Sequence, residues 1–180
     1  MKLLILVCVL IHTINAVDWI NGCGAKVPFV EVEAEHAHHN GKIIGNNRTY
    51  GQLSSEASQR RAVQLNAVGQ YVQFTIPIKA NSIVVRYSIP DSSAGKDAQV
   101  RDAPIDLYVN NNKLKTLTLT SRYSWFYGNY PFNNRPSEPN PHHFYDHVRT
   151  MFDKTYPQGT KVKLQVTSTS QSPTFTIDLA

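Results

Sequence analysis

The sequence predicts an all-β fold, a two-sheet antiparallel β-sandwich of the jelly-roll kind. Three observations carry that expectation. Apolar and polar residues alternate with period two along most of the chain, while helical periodicity is nearly absent. Gly, Pro and Asn interrupt the alternating runs at short intervals, as in sandwiches. Residues 17–180 also suffice for one domain with a core of its own.

The first run is residues 30–35, where Val30, Val32 and Ala34 alternate with Glu31, Glu33 and Glu35. Residues 62–65, 71–76 and 82–89 read as the next strands, separated by 66–69 and 77–81. Residues 105–109 and 113–120 flank Asn110-Asn111-Asn112, a hairpin turn because Asn tolerates positive φ. Residues 161–167 and 174–179 supply the last two strands. Between 121 and 145 the pattern stops. That segment holds several prolines and eight of the eighteen Phe, Tyr and Trp residues. A loop this long is functional or disordered, and its aromatic load argues against disorder.

The start of the chain sets the compartment. Lys2 precedes an apolar stretch at 3–11, and Ile14-Asn15-Ala16 ends on a small residue, the pattern of a cleaved secretory leader. The apolar stretch is well short of the ~20 residues that cross a bilayer, so no membrane association is expected. The expectation is a secreted, extracellular protein with residues 1–16 removed and a single domain over 17–180. Cys8 leaves with the leader. Cys23, between Gly22 and Gly24, is then a free thiol or a disulfide to another chain. Asn47-Arg48-Thr49 is an N-glycosylation sequon, which places Asn47 on the surface. The formal charge of +5 is scattered in pairs such as Lys113 with Lys115 and Lys161 with Lys163. No nucleic-acid footprint results.

Among residues that could carry chemistry, Glu31, Glu33 and Glu35 would share one face of a strand. Three adjacent carboxylates are either a solvated face paired with Lys or Arg, or ligands of calcium, which takes oxygen donors. Asp178 could help to close such a site from a neighbouring strand. His36, His38 and His39 lie at a strand end before Asn40-Gly41, where solvated histidines are common, and a zinc or copper site is not expected. No nucleophile elbow, His-Glu-x-x-His or phosphate loop occurs. Cys23 has no evident histidine partner.

Several segments together resemble a known family. Glu33-Ala34-Glu35, residues 57–69 leading into Tyr71-Val72-Gln73-Phe74, and Arg86-Tyr87-Ser88-Ile89-Pro90-Asp91-Ser92 are similar to the β-sandwich domain that precedes the catalytic β-helix of family 87 glycoside hydrolases, the α-1,3-glucanases or mycodextranases. The resemblance continues through Ser121-Arg122-Tyr123-Ser124-Trp125, His142-His143-Phe144-Tyr145-Asp146 and Thr176-Ile177-Asp178-Leu179, and covers residues 27–180. More broadly the domain resembles family 6 and family 35 carbohydrate-binding modules. That resemblance implies a structural calcium ion held by Glu33, Glu35 and Asp178. In the glucanases the catalytic carboxylates belong to the β-helix that follows, so nothing catalytic is carried over.

The aromatic segment allows core packing, sugar binding or a protein interface. Core packing would claim Phe126, Phe132 and Phe144. Sugar binding would use Trp125, Tyr127 and Tyr130, whose rings can stack on pyranose faces, with Arg122, His142 and Asp146 fixing hydroxyls. The expectation taken forward is a secreted, calcium-stabilised, non-catalytic module that binds polysaccharide of the α-glucan class. The competing expectations are a remnant or subunit of an α-1,3-glucanase, and an extracellular structural protein whose aromatic loop binds protein.

Overall fold

The alternating runs do form strands, because each has one face that only a second sheet can cover. The structure is a computed structural model that describes residues 28–49, 51–92, 99–123, 125–126 and 142–180. In chain order the strands are β1 (His38–His39), β2 (Lys42–Gly45), β3 (Arg61–Leu65), β4 (Tyr71–Thr75), β5 (Ala80–Ser88) and β6 (Asp102–Val109). They continue with β7 (Asn112–Thr120), β8 (Trp125–Phe126), β9 (His142–His143), β10 (Asp146–Tyr156), β11 (Lys161–Gln165) and β12 (Phe175–Leu179). Helix is confined, among the described residues, to three-residue 3-10 turns at Ala34–His36, Leu53–Ser55 and Ser58–Arg60.

Two five-stranded antiparallel sheets result, ordered β1-β4-β11-β6-β7 and β10-β5-β12-β3-β2, with β8 and β9 forming a separate short ribbon. We refer to them as the first and second sheets. The inward faces meet in one core. Val72, Phe74, Ile105, Leu107, Leu119, Val162 and Leu164 come from the first sheet, and Val63, Leu65, Val85, Tyr87, Phe175 and Ile177 from the second. Each such side chain contributes about 1.5–3 kcal/mol by leaving water. Tyr87 also ties the sheets together: its hydroxyl donates to the Thr120 carbonyl at 3.1 Å and accepts from the Thr120 amide at 2.9 Å.

The β6–β7 hairpin turns where the asparagines stand. Asn110 and Asn111 both take positive φ, 48° and 67°, and Val109 pairs with Asn112. Such a turn matches the twist of the flanking strands.

Three expectations need correction. Residues 30–35 are not one strand. Glu33 makes only an isolated bridge to Leu179, and the chain then tightens into the 3-10 turn because the Glu33 carbonyl accepts from the amides of His36 and Ala37, both at 3.2 Å. Glu31, Glu33 and Glu35 therefore share no face: the first is exposed, the second half-buried, the third buried. Second, the segment 121–145 is not devoid of strand, since Trp125 pairs with His143 and Phe126 with His142. Third, β10 has no counterpart in the runs recognised from the sequence. It is an edge strand paired only with β5, and of its residues only Phe152 is buried, while His147, Arg149, Met151 and Asp153 are exposed.

Candidate functional site

The outer face of the second sheet carries an unusual group. Phe175 and Ile177 of β12 point into the core, so Thr176 and Asp178 should point to solvent, yet both are fully buried. The cover consists of the 3-10 turns at 53–60 and of Tyr145, which pack as a small second apolar cluster with Ala57, Ala62, Ile44 and Leu53. A register shift between Ile177 and Leu179, where β12 pairs β5, falls at Asp178. Such irregularities re-aim a side chain.

Asp178 accepts hydrogen bonds from the Ser58 amide at 3.0 and 3.2 Å on its two oxygens, and forms an ion pair with Arg86 of the adjacent β5. Burial pushes its carboxyl up to about 6, a rise that Ser58 and Arg86 oppose and that the nearby Glu33 charge reinforces. Arg86 also donates to the Glu56 carbonyl at 3.0 Å and lies over the Tyr145 ring, 4.8 Å from its centre. Tyr145 holds its proton firmly, first because it is buried and next because Asp178 is close.

Glu33 joins the group because the 32–33 segment pairs with the end of β12, through Val32 amide to Ala180 carbonyl at 2.7 Å and its reciprocal at 3.0 Å. Its Oε1 accepts from the Ser58 hydroxyl at 2.7 Å and from Gln59 Nε2 at 3.2 Å. The turn that follows buries Glu35. Both Glu35 carboxylate oxygens, Oε2 of Glu33 and the Tyr145 hydroxyl are buried without a hydrogen-bond partner.

The backbone over this group is strained. Gln59 and Arg60 are consecutive non-glycine residues at positive φ, 47° and 60°, a conformation that costs about 1–3 kcal/mol each and gathers at functional sites. Gly45 lets it happen. At φ +96° it has no side chain, and a Cβ there would collide with the Arg60 carbonyl.

The cluster brings together some of the expected ligands only in part. Glu33 and Asp178 meet through Ser58, and Glu35 is buried close by. Asp178, however, is engaged by Arg86 and Ser58. Among the described residues no three His, Cys, Asp or Glu side chains are disposed to hold a metal ion. The fit to calcium thus rests on three buried oxygens without partners, Oε2 of Glu33 and both of Glu35, since hard oxygen donors suit such a cation. The Arg86 guanidinium already supplies positive charge at Asp178.

The sugar-binding residues expected on the aromatic segment are placed unevenly. Arg122 is exposed beyond β7, and Asp146 is half-buried at the start of β10, its Oδ1 accepting from the His147 amide at 2.7 Å. The backbones of Trp125 and His142 lie in the β8–β9 ribbon. Tyr127 and Tyr130 lie outside the described residues, as do residues 1–16 and Cys23. Tyr123, not among the expected rings, is 73% exposed. Asn47 is half-buried and accepts the Thr49 amide at 2.8 Å. His38 is exposed and His39 half-buried. The first bonds Tyr71, and the second lies 3.2 Å from the Gly41 carbonyl.

Sequence reasoning assigned no role to Arg86, Ser58 or Tyr145. Arg86 alternates with the buried Val85 and Tyr87, so its outward aim was readable. Its partner on another strand was not.

The family described as "Alpha-1,3-glucanase catalytic domain D1" matches residues 26–180. The chain belongs to this family. Solved structures agree. A GH87 α-1,3-glucanase catalytic domain in complex with tetrasaccharides is 28% identical at a TM-score of 0.74, over 88% of this chain and 28% of that one. The catalytic unit of a thermostable GH87 α-1,3-glucanase from Streptomyces thermodiastaticus strain HF3-3 is 39% identical at 0.69, over 87% and 26%. A GH87 catalytic domain in complex with nigerose is 27% identical at 0.74, over 87% and 28%. The chain therefore spans between 26% and 28% of the length of these catalytic units. None of the curated protein sequences matches.

These matches overturn the expectation that the chain is not an enzyme. Its family is a component of a glycoside hydrolase catalytic domain. The expectation rests on the resemblance carrying over no catalytic residue, whereas a segment can be part of a catalytic domain without bearing the reacting groups.

Proposed function

We propose that this domain acts in the hydrolysis of α-1,3-glucan, as the D1 part of a GH87-type catalytic unit that engages the polysaccharide. The family match over residues 26–180 carries this reading. Support also comes from the relatives described in complex with nigerose and with tetrasaccharides. Secretion would bring the domain to a polymer too large to enter a cell, and the leader-like start and the Asn47 sequon are consistent with it.

We also propose that Glu33 and Glu35 hold a calcium ion, supported by their buried oxygens without partners. Its chemistry would be structural: positive charge that fixes the 34–36 turn against the end of β12.

The test is incubation of the purified protein with insoluble α-1,3-glucan, β-1,3-glucan, cellulose and starch. Released reducing ends and retained protein are both measured. Sugar release from, or retention on, α-1,3-glucan in preference to the others is the expected result. No release together with equal or absent retention on all four would overturn the reading.

A further inference from the structure

We propose that the outer face of the first sheet is a carbohydrate-contacting surface, one that takes a neutral α-glucan chain laid across the strands. Registers place two rows of side chains there. One row runs His38, Gln73, Lys163, Tyr108, Lys113 across all five strands. The next runs Tyr71, Gln165, Asp106, Thr116. At ~4.8 Å between strands, the five span about 19 Å, a length suited to an oligosaccharide rather than one sugar.

Ordinary solvated sheet faces carry loose polar chains, whereas these are held. The Lys163 ammonium lies over both rings, 4.7 Å from the centre of Tyr108 and 5.5 Å from that of Tyr71. Tyr71 stacks on His38 with centres 5.7 Å apart, and its hydroxyl is 3.0 Å from His38 Nδ1. Asp106 is buried, accepting from Thr116 at 2.6 Å and pairing with Lys113 at 2.7 Å. Gln165 donates to the Gly69 carbonyl at 3.2 Å. Side chains fixed before a ligand arrives have little rotamer freedom left to lose on binding.

The chemistry selects the occupant. Each cation of the face has a partner within it: Lys113 pairs with Asp106, Lys163 lies over the two rings, and Lys161 donates to Thr75 at 2.7 Å. A protein interface needs an apolar centre. None of the exposed large hydrophobics among the described residues belongs to the two rows, and Val84 and Met151 lie on strands of the second sheet. What remains is a strip of amides, hydroxyls and ring edges, matched to a polyhydroxylated, uncharged chain.

The inference rests on the proposed engagement of α-1,3-glucan and adds a place for it. Retention on α-1,3-glucan and titration with its soluble oligosaccharides would be measured for the wild-type protein and for Tyr108→Ala, Gln73→Ala and Tyr123→Ala. Melting temperatures would be recorded in parallel. Expected is a roughly tenfold or greater loss for Tyr108→Ala, a smaller loss for Gln73→Ala, and none for Tyr123→Ala, an exposed ring past the end of β7 and outside both rows. Gln73→Ala decides the matter if Tyr108→Ala unfolds the domain. Wild-type affinity in both face variants overturns this site and leaves the proposed function standing. A wild-type protein that neither binds nor cleaves α-1,3-glucan overturns both. Binding of a sulfated polysaccharide in place of α-glucan overturns the choice of a neutral ligand.

Discussion

Replacing Arg86 by Met removes the positive charge beside a fully buried carboxylate while keeping the stem that covers Tyr145. Breaking a buried ion pair by losing one partner generally costs about 3–5 kcal/mol. Here Asp178 has an escape, because its carboxyl already sits at about 6. At pH 7.5 the variant can take up a proton there, and the charge contribution forfeited is then about 1.36 kcal/mol for each of roughly 1.5 pH units, or about 2 kcal/mol. The hydrogen bond to the Glu56 carbonyl and the contact with the Tyr145 ring add about 1–2 kcal/mol. The sign follows from proton counts. With a folded-state value above the unfolded 3.8, the native protein binds the extra proton between the two. Asp178 therefore favours folding most below about 4, and that contribution declines as pH rises toward 6. Without Arg86 the decline continues to higher pH, so the gap between the proteins widens above 6. Urea unfolding in chelator-containing buffer should show a loss of about 3–4 kcal/mol at pH 7.5 and about 1–2 kcal/mol at pH 5. Adding Asp178→Asn should recover most of the pH-dependent part. An equal loss at both pH values, or less than about 1 kcal/mol at pH 7.5, would refute the assignment of Arg86 as the counter-charge.

Calcium should raise the melting temperature of the protein, and chelator should reverse it. Glu35→Gln should abolish most of that response, and a response surviving the substitution would place the ion elsewhere. Gly45→Ala combines a positive φ with a collision against the Arg60 carbonyl. Its expected cost is more than about 2 kcal/mol in urea unfolding, and a loss below about 0.5 kcal/mol would show that the 58–60 turn yields freely.

Much of the fold was legible because burial imposes a period. Residues 71–76 alternate Tyr71, Gln73, Thr75 with Val72, Phe74, Ile76, and the structure buries the second set. The hairpin at Asn110 and Asn111 was legible from side-chain chemistry alone. Residues 30–35 show the same alternation and still fail as a strand, since period two says which side chains could share a face, not whether a partner strand lies alongside. Glu33 finds one position of β12, and then a local turn wins. The strand β10 fails in the opposite direction. As an edge paired on one side only, it needs few apolar residues, and Asp146, Asp153 and Lys154 hide it.

The candidate site was less legible, for a reason that Asp178 makes plain. The alternation in 174–179 puts Asp178 on the outward face, where a charged residue normally meets water. Its burial depends on a turn 120 positions earlier that delivers the Ser58 amide. The strained pair Gln59 and Arg60 holds that turn, and Gly45 on a third segment makes room for it. The resemblance supplied Asp178 as a residue to watch, and supplied calcium as its companion. Only the register of β12 against β5 puts Arg86 beside it. The same limit applies to the first sheet. Each of Tyr71, Tyr108 and Lys163 reads as an outward residue of its own strand. That one ammonium touches both rings follows from β11 lying between β4 and β6, an order that no local pattern encodes. Chemistry assembled from non-neighbouring strands is thus the part of a sandwich that sequence period conceals.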